Sequence, residues 1–480
     1  MQSRAGNGAV GHAPGAAVML KGRDIMASAA EQLAANLNLG VLSKATELKK
    51  RIWFTLAALI VYRIGTYVPV PGVDANVMAD ILRQHGSGIL GMFDMFTGGA
   101  LGRMTVFALN IMPYISASII VQLLGSAVPS LEALKKEGES GRKKLNQYTR
   151  YLTVVIAVFQ AWGLAIGLES MRGSLGQTAV FETGAFFRLS CVVTLVGGTL
   201  FLMWLGEQIT ARGVGNGISL IIFAGIVANL PHAIIATLEL GRTGALSTIF
   251  IIAFLLIALA VIAFVVFMER AQRRIPIQYP KRQVGNKMFG GENTHLPLKL
   301  NTAGVIPPIF ASSLLLLPAT FAGFSGAGQT DGWLSTIANA LAHGRPGYML
   351  LYVALIIFFA FFYTAVVFNP SETADQLKKN GGFIPGIRPG QSTADYLDRV
   401  LTRLTGVGAI YLCIVCLLPE ILISQYGVPF YFGGTSLLII VSVTMDTVAQ
   451  IQSHLFAHQY EGLIRKSRLG GGRGGVPRAR

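Results

Sequence analysis

Ionised side chains are scarce in this chain. Only 13% of its 480 residues are Asp, Glu, Lys or Arg, against 52% hydrophobic ones, and the mean hydropathy is +0.56. A water-surrounded domain carries about 25% charged residues, so a soluble fold is excluded and a polytopic membrane protein is implied. Cysteine is nearly absent as well. Cys191, Cys413 and Cys416 all fall within apolar runs, and the CxxC spacing of the last two has no charged neighbour to activate a thiol, so all three read as packing residues.

Reactive motifs are missing too. There is no Walker A lysine, no HExxH and no nucleophile elbow, which argues against an enzyme. "GVGNGIS", Gly213 to Ser219, has the glycine density of a phosphate loop, but it precedes an apolar helix rather than lying in a βαβ unit. His454 and His458 of "HLFAH" share a helical face without a third ligand, so they read as an interfacial face. No metal and no cofactor are expected. Ion-coupled carriers bury ionisable groups in mid-membrane, and here almost none are found. Asp446 and Glu207 lie near the ends of apolar runs, and Arg63 is close enough to the end of its run to snorkel. The interior polar groups are uncharged: Ser116, Gln160 and Asn301. Such a pathway suits a bulky, chemically variable cargo better than a gripped ion. A secondary transporter for a small solute is the alternative.

What is present is a set of ten apolar runs, near 52–70, 105–128, 151–168, 186–206, 217–238, 246–268, 302–322, 348–368, 407–425 and 434–452. Each approaches the roughly 20 residues that a span needs. The formal charge of +16 is strongly sided. Basic clusters such as "LKKEGESGRKKLNQYTR", "ERAQRRIPIQYPKRQVGNK" and "DQLKKNGGFIPGIRPG" occupy one set of connections, while the alternate set holds scattered arginines and no lysine. The positive-inside rule then makes both termini cytoplasmic, as an even number of spans also requires. Residues 1–25 read as a disordered leader without secretory-signal character, with Met26 a more natural start; 26–51 form a cytoplasmic amphipathic segment and 453–480 a basic cytoplasmic tail.

Ten spans divide into halves of five, 52–238 and 239–452, which an odd number of crossings would relate by inversion. The second run of each half carries Pro-x-Ile-x-Ala-Ser: Pro113, Ile115, Ala117 and Ser118 against Pro307, Ile309, Ala311 and Ser312. Paired, Pro-interrupted helices at matched positions commonly face a central pathway. Two long cytoplasmic arms, 269–301 and 369–406, exceed what a tight turn needs. The first reads as an extended hairpin, the second as a short capped helix followed by a Gly/Pro-rich tip presenting Arg388. "GILGMFDMFTGGALG", 88–102, is apolar, too short to cross a bilayer and broken by glycines.

"FDMFTGGALGRMTVFALNIMPYISASIIVQLL", "GEQIT" followed by "GVGNGIS", "FNPSETADQLKKNGGFIPGIRPG" and "PFYFGGTSLLIIVSVTMD" together resemble the SecY family, from about Met26 to Arg468. The resemblance implies an all-α polytopic fold of ten transmembrane helices in two inverted halves around an hourglass pore, with a re-entrant plug helix at 88–103. It implies a protein-conducting channel for unfolded secretory chains that also releases transmembrane segments sideways into lipid. Its pore ring would be Ile111, Ile115, Ile222, Ile309 and Ile439, and its plug would carry Met92, Phe93, Met95, Phe96, Gly98 and Gly99. The lateral gate would include Ser116, Gln160 and Asn301; Arg273, Arg274, Lys281, Arg282 and Arg388 would dock a motor or ribosome. The implied partners are SecE, SecG, the SecA ATPase, the ribosome, signal sequences, translocating polypeptides and membrane lipid. The implied location is the bacterial inner membrane, and the driving energy comes from a partner.

Overall fold

The computed structural model describes residues 46–85, 94, 97–170, 177–243, 248–279, 282–284, 287–289, 293–324, 346–426 and 434–470. The leader, most of the amphipathic segment 26–51, the end of the tail, Met92, Phe93, Met95, Phe96, Lys281 and the side chains of Arg282 and His458 lie outside the described residues.

Helices dominate. In chain order they are α1 Thr46–Gly65, α2 Ala75–His85, α3 Met112–Ala127, α4 Pro129–Lys136, α5 Glu139–Ser170, α6 Ala185–Arg212, α7 Gly217–Arg242, α8 Thr248–Arg270, α9 Ile306–Phe324, α10 Pro346–Val367, α11 Pro370–Lys379, α12 Gln391–Tyr426 and α13 Gly434–Gly470. By length and apolarity, five described helical stretches can cross a membrane: Glu139–Glu169, Ala185–Arg212, Pro346–Lys379, Gln391–Pro419 and Gly434–Leu455. The bent pair Met112–Ala127 and Pro129–Lys135, folded by 102°, is a sixth if read as one span. The other four expected runs overlap α1, α7, α8 and α9. Apolar side chains cover much of the outside, with Ile249, Leu255, Leu259 and Phe186 all more than 60% exposed. Surfaces of that kind belong in hydrocarbon.

Two expectations need correction. The run 105–128 is not one helix: Thr105 bridges Pro69, residues 106–111 form turns, with Asn110 in the left-handed region at φ 49°, and helix begins at Met112. The prolines of the repeated motif therefore do not interrupt helices. Pro113 and Pro307 both sit in the first turn, one residue after the helices begin at Met112 and Ile306. Proline is tolerated there because its missing N–H has no intrahelical partner to lose. Nor is the chain wholly α. The arm after α8 is a ribbon in which β1, Gln272–Gln278, pairs antiparallel with β4, Asn293–Lys299, while β2, Arg282–Val284, pairs with β3, Lys287–Phe289.

Packing repeats between the halves. In the first, α3 packs on α5, α5 on α6, α6 on α7 and α1 on α6; in the second, α9 packs on α10, α10 on α12, α12 on α13 and α8 on α12. Taken in order of succession, these are the same pairs. The halves meet where α3 and α5 touch α9, and again where α7 touches α8 and α13. Two ion pairs fasten α5 to α6 near opposite ends, Arg150 to Glu207 at 2.7 Å and Arg188 to Glu169 at 2.6 Å.

The glycine-rich turn "GVGNGIS" joins α6 to α7, and most of its backbone donors are already occupied. Val214 N–H donates to Thr55 Oγ1, Gly215 N–H to Gln450 Oε1 and Gly217 N–H to Thr210 Oγ1, while Asn216 Oδ1 caps Ile218 and Ser219. The turn is thus a clasp between three helices, not a phosphate cradle. A Cβ at position 217 would collide with the Gly206 carbonyl. Gly217→Ala is expected to cost about 1–3 kcal/mol, the range for overpacking, and to lower the thermal midpoint measured in detergent. An unchanged midpoint would mean the backbone there yields freely.

Candidate functional site

Five isoleucines from four elements meet at one point. A cavity of about 10 Å³ is lined by Ile111 and Ile115 of α3 and its cap, Ile222 of α7, Ile309 of α9 and Ile439 of α13, together with Asn110, Met112, Ser312 and Ser313. Four of these isoleucines are buried and Ile309 is partly so. Such a space is the size of a single water, and walls of branched hydrocarbon dewet rather than conduct. Polar groups are few. Ser312 Oγ donates to the Ile309 carbonyl at 3.0 Å, and buried Ser313 Oγ has no hydrogen-bond partner among the described residues.

On the side carrying the two arms, α7, α9 and α13 also line a much larger cavity of about 580 Å³. Ser219, Ile306 and Ser442 line it, each about one helical turn from Ile222, Ile309 and Ile439. Its wall mixes Val305, Val367 and Val443 with the polar and charged groups of Glu269, Lys299, Asn301, Asp446 and Gln450. A wide vestibule with charged groups in its wall thus narrows within one turn to an apolar waist.

Beyond the waist lies a packed seat. Tyr62 of α1 is 1% exposed; its hydroxyl donates to the Thr97 carbonyl at 3.4 Å and its side chain is hydrogen-bonded to Asn110, next to Ile111. Gly98 and Gly99 adopt φ of 69° and 82°, and a Cβ at Gly98 would stand 3.0 Å from the Gly225 backbone of α7. Only glycine allows both that conformation and that approach. Arg63, expected to snorkel, instead donates to the Gly98 carbonyl at 3.0 Å.

The polar seam residues sit on three different elements. Ser116 is buried in α3, which packs against α9, and Gln160 of α5 has a buried Oε1 with no hydrogen-bond partner among the described residues. Asn301 lies in the turn between β4 and α9, where its amide donates to Glu269 Oε1 at 2.7 Å and to the Gly304 carbonyl at 3.0 Å. An amide in a tight turn satisfies the nearest carbonyls and carboxylates first. Burial pushes the Glu269 carboxyl above its ordinary 4.5, with Asn301 and Lys299 opposing and Asp446 reinforcing. A native carboxyl that keeps its proton to higher pH loses stability as pH rises from the unfolded value through the raised one. Glu269→Gln is expected to raise the thermal midpoint near neutral pH and to lose that advantage below pH 4.5; a midpoint lowered at every pH would show instead that the charge is needed.

The two arms form one unit. Ile275, Leu298, Ile384, Leu397 and Leu401 share a small core, and Gln278 and Phe383 exchange backbone hydrogen bonds at 2.9 and 3.0 Å. Along β1, Ile275 and Ile277 turn inward while Arg273 and Arg274 are exposed. Arg388 is exposed on the tip of the second arm, where its carbonyl accepts from Thr393 Oγ1. Sequence reasoning missed Tyr62, Asn110, Arg103 and Glu269. Only Glu269 left a signal, as an acid among the arginines of "MERAQRR".

A family model described as SecY matches residues 105–448. The protein translocase subunit SecY of Rickettsia conorii is 56% identical over 423 residues, covering 88% of this chain and 97% of that protein. Among solved structures, one described as "The structure of a protein conducting channel" superposes with a TM-score of 0.63 at 19% identity, covering 85% of this chain and 92% of the other. Another, "The plug domain of the SecY protein stablizes the closed state of the translocation channel and maintains a membrane seal", gives a TM-score of 0.61 at 19% identity, with coverage of 85% and 92%. At that identity the structures carry the fold, and the relative carries the family.

Proposed function

The chain belongs to the SecY family, and from that premise we propose that it is the protein-conducting subunit of a translocase, passing unfolded polypeptides through a pore between its halves. The observation that carries this reading is the convergence of Ile111, Ile115, Ile222, Ile309 and Ile439 on a space the size of one water. A ring without hydrogen-bonding groups asks nothing specific of a passing chain, and it closes against ions when idle. Ten spans in two inverted halves are supported by the matched helix pairs and by the matched helix starts at Pro113 and Pro307.

In this reading the segment 88–103 is the plug, docked through Thr97, Gly98 and Gly99 on α1 and α7. The contact of α3 and α5 with α9 is the lateral exit to lipid, with Ser116 and Gln160 as its polar groups and Asn301 set back toward the vestibule. Uncharged hydrogen bonds across helices are worth about 0.6 to 2 kcal/mol, enough to hold a door without locking it. The arms are cytoplasmic and both termini face the cytoplasm of a bacterial inner membrane. Arg273, Arg274, Lys281, Arg282 and Arg388 form the surface on which a driving partner docks, the SecA ATPase or a ribosome, with SecE and SecG as small companions. The channel itself is passive.

A small-solute carrier is not favoured, since the relatives are named as translocase subunits. Reconstitution separates the two. Vesicles containing the chain with its small companions and the motor ATPase should take up an unfolded preprotein when ATP is supplied. Ion-gradient-driven uptake of a small solute, without protein transfer, would overturn the proposal.

A further inference from the structure

We propose that Arg63 and Arg103 form a latch on the root of the plug, and that opening requires their release from the carbonyls of Gly98 and Gly99. This rests on the plug reading above. Three guanidinium hydrogen bonds converge on two consecutive carbonyls: Arg63 Nη1 and Arg103 Nη2 donate to Gly98 at 3.0 and 3.2 Å, and Arg103 Nε donates to Gly99 at 3.0 Å. Bonds from a charged donor are about twice as strong as neutral ones, so this root is held more firmly than an ordinary loop.

Two like charges on one acceptor would repel, and Tyr67 offsets that. Its ring lies 4.1 Å from the Arg103 guanidinium and 5.0 Å from that of Arg63, and its hydroxyl accepts from Arg63 Nη2 at 3.0 Å. An aromatic face attracts both cations. The root they hold is itself a closed knot. Asp94 Oδ1 accepts from Gly102 N–H, the Asp94 carbonyl accepts from Gly99 N–H and Thr97 Oγ1, and Thr97 Oγ1 accepts from Leu101 N–H. Asp94 and residues 97–102 are therefore tied together, fastened by Arg63 to the end of α1 and by Arg103 to the chain leading into α3.

The latch is reversible by construction. Arg63 and Arg103 are only partly buried and Tyr67 is 56% exposed, so water can take over each hydrogen bond as the root lifts. Left-handed Gly98 carries no side chain to drag against Gly225, and left-handed Gly99 none to press on Arg103. Tyr62 reports the same event toward the waist, since it holds Thr97 on one side and Asn110 on the other.

The test uses the complete complex in proteoliposomes, in a background where the three buried cysteines are serine. A single probe, Ala100→Cys, stands at a position that is 0% exposed in the latched state. Its labelling by a membrane-impermeant maleimide from the arm-free side is read together with resting potassium leak. Arg63→Gln and Arg103→Gln should each raise labelling and leak by about tenfold, and the double variant should give less than the product of the two, because they share one carbonyl. Arg103→Lys, which keeps charge but loses the fork, should fall between. If the glutamine variants fail to accumulate, Arg103→Lys and Tyr67→Phe carry the same reading at smaller amplitude. Unchanged labelling and leak in these variants, while deletion of 88–102 leaks, would overturn the latch and leave the plug standing. A deletion that does not leak would overturn the plug reading itself, and the latch with it.

Discussion

Replacing Ile111 or Ile439 with asparagine is expected to raise resting ion leak through the reconstituted complex by at least about tenfold, since each 1.4 kcal/mol is one factor of ten. Both side chains are 1% exposed and both line the waist. Burying an isoleucine contributes about 1.5–3 kcal/mol, and asparagine removes that while adding an amide that must be hydrated. Water drawn to the amide has somewhere to go, because the vestibule of about 580 Å³ lies one helical turn away. Conduction through a dewetted constriction depends on whether water bridges it, so one polar group there should have a disproportionate effect. Leucine at either position should be tolerated, as a volume-conserving swap costs under about 1.5 kcal/mol. Leu255→Asn, on an outward face that is 67% exposed, is the control and should not leak. Equal leak from that variant would mean loosened folding rather than a breached waist.

Arg388→Glu should abolish motor-driven import of a preprotein into vesicles while leaving the protein folded and the resting seal intact. The tip is built to present this side chain rigidly. Gly386 and Gly390 take φ of 82° and 106°, Ile384 is buried in the arm core, and the Arg388 carbonyl is pinned by Thr393 at 2.9 Å. The exposed guanidinium has no described ion-pair partner to lose, so the substitution should cost little stability. A docking partner loses a fork of donors and meets a like or unpaired charge instead, and such losses at an interface reach 2–5 kcal/mol. Import at the parental rate would remove Arg388 from the docking surface.

Much of this was legible in the sequence, for identifiable reasons. The apolar runs, the sidedness of lysine and the hairpin character of "RRIPIQYPKR" depend on local composition, which survives without tertiary knowledge. The repeat of Pro113 and Ile115 at Pro307 and Ile309 points to paired, Pro-interrupted helices at matched positions; the pairing is legible, but each proline marks a helix start rather than an interruption. The waist was reachable only through family resemblance, because nothing in an isoleucine's own neighbourhood distinguishes a pore-facing one from a lipid-facing one.

What escaped depends on partners distant in the chain or without sequence identity. Arg63 bonds a carbonyl 35 residues away, and a carbonyl leaves no mark on the residue that owns it. Asn301 was placed on the seam by resemblance, yet its amide is taken by Glu269, 32 residues earlier and hidden among arginines. Asn110 in a left-handed turn looked like the middle of a span, since apolar neighbours masked the break before Met112.

Disulfide trapping tests the central claim most directly. A preprotein arrested midway, carrying one cysteine in the segment that spans the membrane, is incubated with complexes bearing a single cysteine at Ile111, Ile309 or lipid-facing Leu255. The expected result is an efficient adduct at the first two positions, drawn from both halves, and none at the third. Adducts at Leu255 with none at Ile111 or Ile309 would contradict passage through the isoleucine waist.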